Sequence, residues 1–433
     1  MLELSATIVI GGKGSRLSAI NSDLPKCLFP FMGRSILDIQ LDFLKSNGIK
    51  KIYLFLGHLH PTIIDHLKKR RVEFEFVYHI ETEPRGTVGN LLLQVDSLSE
   101  LILIVLGDLY LDFPLIKFID TFIESEADFQ LLVHPSTHMA DSDLIQSDHS
   151  NRIVKILRKP HPDDLLVRNQ ANAGVYIFRK RVLKNYKKRV WSGKEVLDLD
   201  RDLIPDLLQR GAHGLVFRNL GLVKDLGTPD RIQSTIDLVT NGHGDVIKPM
   251  IFLDRDGVIN FDSGWIWRLA DFKVIDGVPQ SIAMLNTYGF RVCVVTNQPV
   301  IARGDATLET IEGIHHYLDS VLSDSGGYID DYFVCAHHPE SGFEGEIPHL
   351  KVSCSCRKPG TSLFEEALKR FPTDLSRSFV VGDSWRDEKA AESIGIQFLG
   401  ISGNLKYPFN TRNVFDNLSH AVDFILDSHG QVS

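Results

Sequence analysis

Residues 249–260 read Pro-Met-Ile-Phe-Leu-Asp-Arg-Asp-Gly-Val-Ile-Asn, which places two carboxylates directly after a short apolar run. The run at 250–253 predicts a buried strand. Asp254 and Asp256 are two residues apart, so both side chains leave the chain on the same side. The carboxyl end of a strand is where open α/β sheets bind ligands. Two acids this close repel each other unless a cation lies between them or one is protonated, and both solutions serve phosphoryl transfer.

Short apolar or β-branched runs alternate with longer helical stretches along the rest of the chain, which is typical of α/β folds with mostly parallel strands. The clearest strands fall at 7–10, 51–56, 73–78 and 101–106 in the first half, and at 250–253, 291–295, 332–336 and 379–381 in the second. A polar, glycine-containing segment at 240–245 separates the two sets. We therefore expect two tandem Rossmann-like domains, at 1–243 and 244–433.

The composition excludes several classes of protein. The 433 residues are 43% hydrophobic and 24% charged, as in ordinary globular domains. A formal net charge of -9 argues against nucleic acid as the main partner. No apolar run approaches the ~18 residues of a membrane helix, so we expect no membrane partner. The first ten residues carry an acid where a signal peptide carries basic residues, which predicts a first strand and a cytoplasmic protein.

A glycine-rich segment follows the first predicted strand. Its glycines let backbone N–H groups approach phosphate oxygens with no Cβ in the way. They are Gly11, Gly12 and Gly14. Arg16 and Lys26 would add cations suited to a triphosphate. Many strand-to-helix turns are glycine-rich for steric reasons alone, but the pattern G-G-x-G-x-R-L with a trailing Pro-Lys is more selective.

With these motifs, residues 3–240 resemble the sugar-1-phosphate nucleotidylyltransferases. Other motifs follow in the family's order: Glu-Pro-Arg-Gly-Thr at 83–87, Gly-Asp at 107–108, Asn-Ala-Gly at 172–174 and Asp-Leu-Gly-Thr-Pro at 225–229. The resemblance implies a mixed sheet and transfer of a nucleotidyl group from a nucleoside triphosphate to a sugar 1-phosphate.

The family's site residues carry over by motif. The resemblance implies that Asp108 and Asp225 hold Mg²⁺ and that Arg16 and Lys26 contact the nucleotide phosphates. It also implies five further substrate-binding residues: Gly86 and Thr87 near the base or sugar, Lys159 on the sugar phosphate, Asn172 and Gly174. Ile10, Ser15, Arg85 and Arg158 depart from the family's usual residues, which leaves base and sugar specificity open.

From residue 249 to about 430 the chain resembles haloacid-dehalogenase-type phosphatases, which implies a parallel sheet. In that family the first Asp attacks phosphorus, a role that falls on Asp254, and Asp256 protonates the leaving alkoxide and then activates water. Thr296 would hydrogen-bond the phosphate, and Lys358 would neutralise it. Asp383 would complete a Mg²⁺ site with Asp254 and Asp256, supported by Asp387.

A cysteine cluster lies just before the lysine motif. Cys335-Ala-His337 and Cys354-Ser-Cys356 supply three sulfurs and one imidazole, a set suited to structural Zn²⁺ on a loop that leads into Lys358. Without an export signal, metal binding is favoured over disulfides. The alternatives are free thiols with a surface histidine, or His338 as the ligand in place of His337.

The C-x-H and C-x-C-R-K-P pattern resembles D-glycero-D-manno-heptose 1,7-bisphosphate phosphatases, whose relatives include histidinol-phosphate phosphatases. Arg357 is the best candidate for gripping a second phosphate or the sugar, because its planar fork suits phosphate. Arg303 and Asn297 are further substrate-binding candidates. The usual T-N-Q-S-G reads Thr-Asn-Gln-Pro-Val at 296–300, and Ser384 replaces a usual lysine.

Together the two resemblances predict a bifunctional enzyme. It would remove the C7 phosphate of a heptose 1,7-bisphosphate and then transfer a nucleotidyl group, GMP from GTP, to the heptose 1-phosphate. One alternative keeps both reactions on another sugar phosphate or on histidinol phosphate. Another is a phosphatase regulated by a first domain that only binds nucleotide. The oligomeric state stays open.

Overall fold

The computed structural model describes residues 3–10, 24–69, 74–162, 165–191, 196–402 and 409–430. The chain divides into two compact units. The first contains residues 1–134, 143–159 and 170–245, and the second contains 135–142, 160–169 and 246–433. The second unit thus includes two short segments from the first half of the chain, which the sequence pattern did not indicate.

The first unit is built on a nine-stranded mixed sheet. Its strands, with two small separate pairs, are β1 (Leu4–Ile10), β2 (Pro30–Phe31), β3 (Arg34–Ser35), β4 (Lys51–Leu56), β5 (Glu75–Ile80), β6 (Leu101–Leu106), β7 (Leu109–Asp112), β8 (Phe129–His134), β9 (Leu144–Ser147), β10 (Ile153–Leu157), β11 (Ala171–Arg179), β12 (Gly214–Arg218) and β13 (Leu222–Asp225). The main order is β10-β9-β11-β6-β1-β4-β5, with β8 between β11 and β12. The strands β1, β4, β5 and β6 run parallel, whereas β11 is antiparallel to β6.

Helices cover both faces of this sheet. They are α1 (Ile36–Ser46), α2 (His60–Lys69), α3 (Gly86–Gln94), α4 (Leu115–Glu124), α5 (Lys180–Arg189), α6 (Ile204–Gln209) and α7 (Pro229–Thr240). The central strand β6 shows why the sequence reads as an unbroken apolar run. Leu101, Leu103 and Val105 lie in one core cluster, whereas Ile102 and Ile104 lie in the other. Alternate side chains point to opposite faces, so a strand buried on both faces has no polar positions.

The second unit contains a six-stranded sheet in which every pair is parallel, in the order β16-β15-β14-β17-β18-β19. The strands are β14 (Met250–Leu253), β15 (Arg291–Asn297), β16 (Asp331–Cys335), β17 (Phe379–Gly382), β18 (Gln397–Ile401) and β19 (Val414–Phe415). The helices are α8 (Val278–Thr287), α9 (Leu308–Ser323), α10 (Ser362–Arg370), α11 (Trp385–Ile394) and α12 (Leu418–Gly430). The predicted mixed sheet and parallel sheet are both confirmed.

The segment 160–169 is held within the second unit by two buried carboxylates. The Arg168 guanidinium donates to Asp331 Oδ1 at 2.6 Å, and the backbone N–H of Asn169 donates to Asp319 Oδ2 at 3.0 Å. Both carboxylates are buried, so the segment supplies hydrogen bonds that these groups need in order to be stable away from water.

Within the described ranges, no helix has both the length and the apolar character required to cross a membrane.

Candidate active sites

The first unit has a cleft of about 440 Å³ at the carboxyl ends of β1 and β6. Its described lining consists of Val9, Ile10, Lys26, Cys27, Glu81, Pro84, Gly86, Thr87, Leu106, Gly107, Asp108, Val196 and Asp198. Four of the predicted site residues are in this set. The predicted phosphate-binding residues Gly11, Gly12, Gly14 and Arg16 lie outside the described residues.

Strand pairing brings the backbones of the two predicted magnesium ligands side by side. Asp108 follows β6, and Asp225 ends β13, where it is paired with Leu109. The backbone N–H of Leu226 donates to the carbonyl oxygen of Asp108 at 2.8 Å. The Lys26 ammonium contacts the Asp108 carboxylate, so a cation predicted to bind the triphosphate already lies at this acid.

Gly227 packs closely against both Lys26 and Asp225. A Cβ at this position would lie 2.6 Å from Lys26 Nζ and 2.6 Å from Asp225 Oδ1. The backbone N–H of Gly227 donates to the same Oδ1 at 2.5 Å, and the Arg231 guanidinium donates to Oδ2 at 2.5 Å. Two carboxylates carried by adjoining backbone segments are oxygen donors of the kind that Mg²⁺ takes, so Asp108 and Asp225 fit Mg²⁺.

Sequence reasoning missed Gln40, a fully buried residue of α1. Its amide Nε2 donates to the carbonyl oxygens of Leu106 and Leu109, both at 2.9 Å. These two carbonyls flank the Gly107–Asp108 turn, so one side chain fixes both ends of the turn that carries the carboxylate. The available signal was a single polar residue on the otherwise apolar face of α1.

The start of α3, which contains Gly86 and Thr87, is held by the segment around Asp198, which was also missed. Gly86 has φ +74°, and a Cβ there would lie 2.1 Å from the carbonyl oxygen of Leu197, so only glycine fits. Thr87 Oγ1 donates to Asp198 Oδ2 at 3.2 Å and accepts from the backbone N–H of Leu199 at 2.8 Å.

Asn172 and Gly174 lie in an irregular part of β11, outside the described lining of the cleft. Asn172 Nδ2 donates to Asp200 Oδ1 at 2.8 Å, and its Oδ1 accepts from the backbone N–H of Gly174 at 3.1 Å. Burial raises the pKa of the Asp200 carboxyl to about 6. Lys159 is exposed and also lies outside the described lining; its backbone N–H donates to Asp143 Oδ1 at 3.2 Å.

The second unit has a cleft of about 380 Å³ at the carboxyl ends of β14 and β15. Its lining consists of Asp254, Asp256, Asp262, Gly264, Trp265, Ile266, Asn297, Gln298, Pro299, Val300, His338, Arg357, Lys358, Asp383, Ser384 and Arg386. Six of these, from β14 to the start of α11, are predicted site residues.

Lys358 forms ion pairs with two acids at this cleft. Its buried ammonium lies 2.8 Å from Asp254 Oδ1 and 2.6 Å from Asp387 Oδ1, and it donates to the carbonyl oxygen of Val295 at 2.7 Å. Burial lowers the pKa of Lys358, but Asp254 and Asp387 raise it more, so the ammonium stays charged.

The acids Asp254, Asp383 and Asp387 crowd one another. Each offers an oxygen within 4.8 Å of the others. Burial raises the pKa of Asp254 well above its ordinary value, Lys358 opposes this shift, and the neighbouring acids add to it. Burial and Asp387 raise the pKa of Asp383 to about 7. A divalent cation between Asp254 and Asp383 would relieve this repulsion, so these residues fit Mg²⁺.

The Asp256 side chain does not join that group. Its Oδ2 accepts from Gln298 Nε2 at 2.8 Å, and its Oδ1 accepts from Asn260 Nδ2 at 3.0 Å. The buried Arg255 guanidinium contacts both oxygens, at 2.9 Å and 3.0 Å. The structure surrounds the Asp256 carboxylate with donors that orient it, and its place among the magnesium ligands stays a prediction. Asp387 is the third acid of the group.

The remaining motif residues support this arrangement. Gly257 has φ +86°, and a Cβ there would lie 2.1 Å from Asp383 Oδ2. Thr296 is buried at the end of β15 and accepts from Gln298 Nε2 at 2.9 Å. Asn297 exchanges two hydrogen bonds with the backbone of Lys358, at 3.0 Å and 3.2 Å, and so holds the lysine loop against β15.

The four predicted zinc ligands lie together. The sulfurs of Cys335, Cys354 and Cys356 and Nδ1 of His337 are all within 4.8 Å of one another. Cys356 Sγ is 3.1 Å from the imidazole nitrogen and 3.2 Å from each of the other two sulfurs. Three sulfurs and one imidazole nitrogen are a donor set that fits tetrahedral Zn²⁺. His338 does not join this cluster and lines the cleft instead.

The predicted arginines differ in their surroundings. Arg357 lines the cleft and donates to the carbonyl oxygen of His337 at 3.3 Å. Arg303 lies outside the described lining, with its guanidinium 4.4 Å from the ring centroids of both Trp265 and Phe343. Arg386 lines the cleft and was not predicted. Burial lowers the pKa of Arg357, and the charge of Arg386 adds to this effect.

Comparisons with known proteins agree with the family resemblances of both halves of the chain. The family model for nucleotidyl transferases matches residues 5–241, and the model for HAD-hydrolase-like proteins matches residues 355–427. Two relatives carry the name D-glycero-beta-D-manno-heptose-1,7-bisphosphate 7-phosphatase. The one from Rhodopseudomonas palustris is 36% identical over 149 residues, 34% of this chain and 81% of the relative. The one from Escherichia coli O6:H1 is 35% identical over 182 residues, 42% of this chain and 90% of the relative.

Among solved structures, HddC from Yersinia pseudotuberculosis is similar to this chain. The two share 22% sequence identity, with a TM-score of 0.46, over 55% of this chain and 100% of the other.

We predict that Gln40→Leu weakens the transferase site. The substitution removes both donors to the carbonyls that flank Asp108, which costs about 1–3 kcal/mol of unfolding free energy and loosens the turn. The Mg²⁺ concentration for half-maximal pyrophosphate release should rise several-fold, whereas phosphate release should stay unchanged. Gln94→Leu, at an exposed glutamine of α3, is the matched control. An unchanged Mg²⁺ requirement in Gln40→Leu would contradict this positioning role.

We also predict that Gly257→Ala disables the second site. The new Cβ displaces the Asp383 carboxylate, and a shift of about 1 Å at such a site can cost 100-fold in rate. Gly277→Ala is the matched control, because Gly277 has φ +82° with nothing within 4 Å of the new Cβ. Both variants should lose similar stability in chemical denaturation, but only Gly257→Ala should lose phosphate release. Equal phosphate release by the two variants would contradict the role assigned to Gly257.

Proposed function

Because this chain belongs to the nucleotidyl transferase family and to the family of D-glycero-β-D-manno-heptose-1,7-bisphosphate 7-phosphatases, we propose that it carries out two consecutive steps of heptose activation. The second unit removes the C7 phosphate from a heptose 1,7-bisphosphate. The first unit then joins the heptose 1-phosphate to a nucleotide. The product of one reaction is the substrate of the other, which accounts for both activities in one chain.

The observation that carries the phosphatase step is the position of Asp254. Its carboxylate lies at the carboxyl end of β14, in a cleft and 2.8 Å from the Lys358 ammonium. In the proposed reaction, Asp254 Oδ forms a bond to phosphorus while the bond from phosphorus to the sugar oxygen breaks. Asp256 delivers a proton to that oxygen and later takes one from the water that hydrolyses the aspartyl-phosphate.

Lys358 and Thr296 are the groups of this chain that we assign to the transferring phosphate. The ammonium neutralises oxygens that gain charge in the transition state, and the Thr296 hydroxyl donates a hydrogen bond to one of them. Asp387 holds the ammonium in place at 2.6 Å. Bound Mg²⁺, held by Asp254 and Asp383, would supply further neutralisation of the phosphoryl oxygens.

For the transferase step, an oxygen of the sugar 1-phosphate attacks the α-phosphorus of a nucleoside triphosphate and pyrophosphate leaves. Two polyanions must approach each other, so cations dominate this chemistry. We assign Lys26, which lines the cleft, to the nucleotide phosphates, and Asp108 and Asp225 to Mg²⁺. Arg16 and the three glycines of the predicted phosphate cradle keep the roles that the sequence resemblance implies.

The proposal also specifies which nucleotide is the donor and which sugar is the substrate. GTP as the donor follows from the sequence resemblance, and the heptose follows from the named phosphatase relatives. We also propose that the four-residue cluster of Cys335, His337, Cys354 and Cys356 holds structural Zn²⁺ beside the Lys358 loop. The domain limits 1–243 and 244–433 and a cytoplasmic location remain predictions.

Product analysis tests the whole proposal. The protein is incubated with the heptose 1,7-bisphosphate, Mg²⁺ and one nucleoside triphosphate at a time, and the products are identified by mass. We expect phosphate in every reaction, and pyrophosphate with a nucleotide-heptose only with GTP. Another productive triphosphate would overturn the GTP assignment, and faster hydrolysis of histidinol phosphate would overturn the heptose. Nucleotide binding without pyrophosphate release would favour a regulatory first unit.

Two reciprocal variants should separate the steps. Asp254→Asn removes the nucleophile, so phosphate release should fall at least 1000-fold, because removal of a catalytic nucleophile can cost about 10⁶-fold in rate. Pyrophosphate release from supplied heptose 1-phosphate should continue. Asp108→Ala should have the opposite effect. If either variant loses both activities while keeping its unfolding transition, the two sites are not separate.

We predict one Zn²⁺ per chain in protein purified without chelators. Cys354→Ser should lower the zinc content and, because the cluster adjoins Lys358, reduce phosphate release together with stability. Cys293→Ala, at a buried cysteine outside the cluster, is the control and should keep its zinc. Elemental analysis decides the matter, and zinc-free wild-type protein with full phosphatase activity would refute the role.

A further inference from the structure

The phosphatase cleft contains a positive charge that the proposed reaction does not use. Three cationic side chains line the cleft: Lys358, Arg357 and Arg386. The ammonium of Lys358 is committed to Asp254 and Asp387. Within the part of the chain that the structure describes, neither arginine forms an ion pair. Arg357 donates to a backbone carbonyl, and Arg386 lies near an aromatic ring.

Arg386 occupies an unfavourable position for a cation. It is the second residue of α11, and the positive end of the helix dipole disfavours a cation in the first turn. The two acids of this turn are used elsewhere. Asp387 pairs with Lys358, and Glu388 accepts from the backbone N–H groups of Asn410 and Thr411 at 3.0 Å and 2.6 Å.

The guanidinium of Arg386 instead lies near an aromatic ring. Its central carbon is 5.4 Å from the ring centroid of Trp385, and the side chain is partly exposed to the cleft. An anion would stabilise this arrangement in three ways: it would pair with Arg386, reduce its repulsion from Arg357, and face the positive helix end. The planar guanidinium fork matches the geometry of phosphate oxygens, and a substrate with two phosphates brings such an anion into the cleft.

We propose that Arg386, together with Arg357, binds the second phosphate of the substrate, the one that is not hydrolysed, and thereby makes the phosphatase selective for sugar bisphosphates over monophosphates. This inference rests on the proposed function for the identity of the sugar. A cleft of about 380 Å³ accommodates a monosaccharide with two phosphates. Arg386 is a specificity residue here, and the reacting phosphate stays with Asp254 and Lys358.

The test compares a bisphosphate with a monophosphate in the full-length protein. The kcat/KM of Arg386→Gln is measured on heptose 1,7-bisphosphate and heptose 7-phosphate, and on fructose 1,6-bisphosphate and fructose 6-phosphate. Loss of a charged hydrogen bond predicts that the ratio of kcat/KM for the bisphosphate to that for the monophosphate falls about 10- to 100-fold, mainly through KM. Arg386→Lys, which keeps the charge without the fork, should recover part of the ratio.

Lys389→Gln is the matched control, because it removes one positive charge from an exposed position of the same helix. Its ratio should equal that of the wild type. An unchanged ratio in Arg386→Gln, or an equal loss on bisphosphate and monophosphate, would overturn the proposal. If the wild type prefers fructose bisphosphate and Arg386→Gln loses that preference, the heptose assignment fails while the role of Arg386 stands.

Discussion

The second site depends on the ion pairs that the Lys358 ammonium forms with two acids. The ammonium lies between Asp254 and Asp387 and also donates to the carbonyl oxygen of Val295 in the neighbouring strand. Buried acids repel one another, and a buried cation without partners is equally unfavourable. Each group therefore requires the others, and the strand ends, the lysine loop and the start of α11 are held in one arrangement. The Cys/His cluster adjoins the same loop.

In the first unit, the acid at the strand end is held by a neutral side chain as well as by a charged one. This acid follows β6, the apolar strand buried on both faces, and lies in the turn between β6 and β7. Gln40 satisfies carbonyls on both sides of that turn, while Lys26 neutralises the acid itself. In both units the sheet supplies a fixed strand end, and a side chain from elsewhere in the chain fixes the acid that follows.

The sequence predicted the strands and their acids well because both depend on local patterns. Strands β4, β6 and β14 begin and end where the apolar runs do, and the resemblance to known families placed the lysine and the cysteines. Gln40 and Asp198 were missed because their contacts join distant parts of the chain, although a polar residue on the apolar face of α1 was a local signal for Gln40. Arg386 was missed because only the fold shows that it lines the cleft. The substrate-binding role of Asn172 and Gly174 stays a prediction: their motif lies at a strand irregularity next to Asp200, outside the described lining of the cleft.

The segments 135–142 and 160–169 have a consequence for how such a chain can be divided. The chain leaves the first unit twice to supply residues to the second, among them Arg168 and Asn169, which satisfy two buried acids there. A single cut after residue 245 would therefore deprive the carboxyl-terminal fragment of part of its own interior.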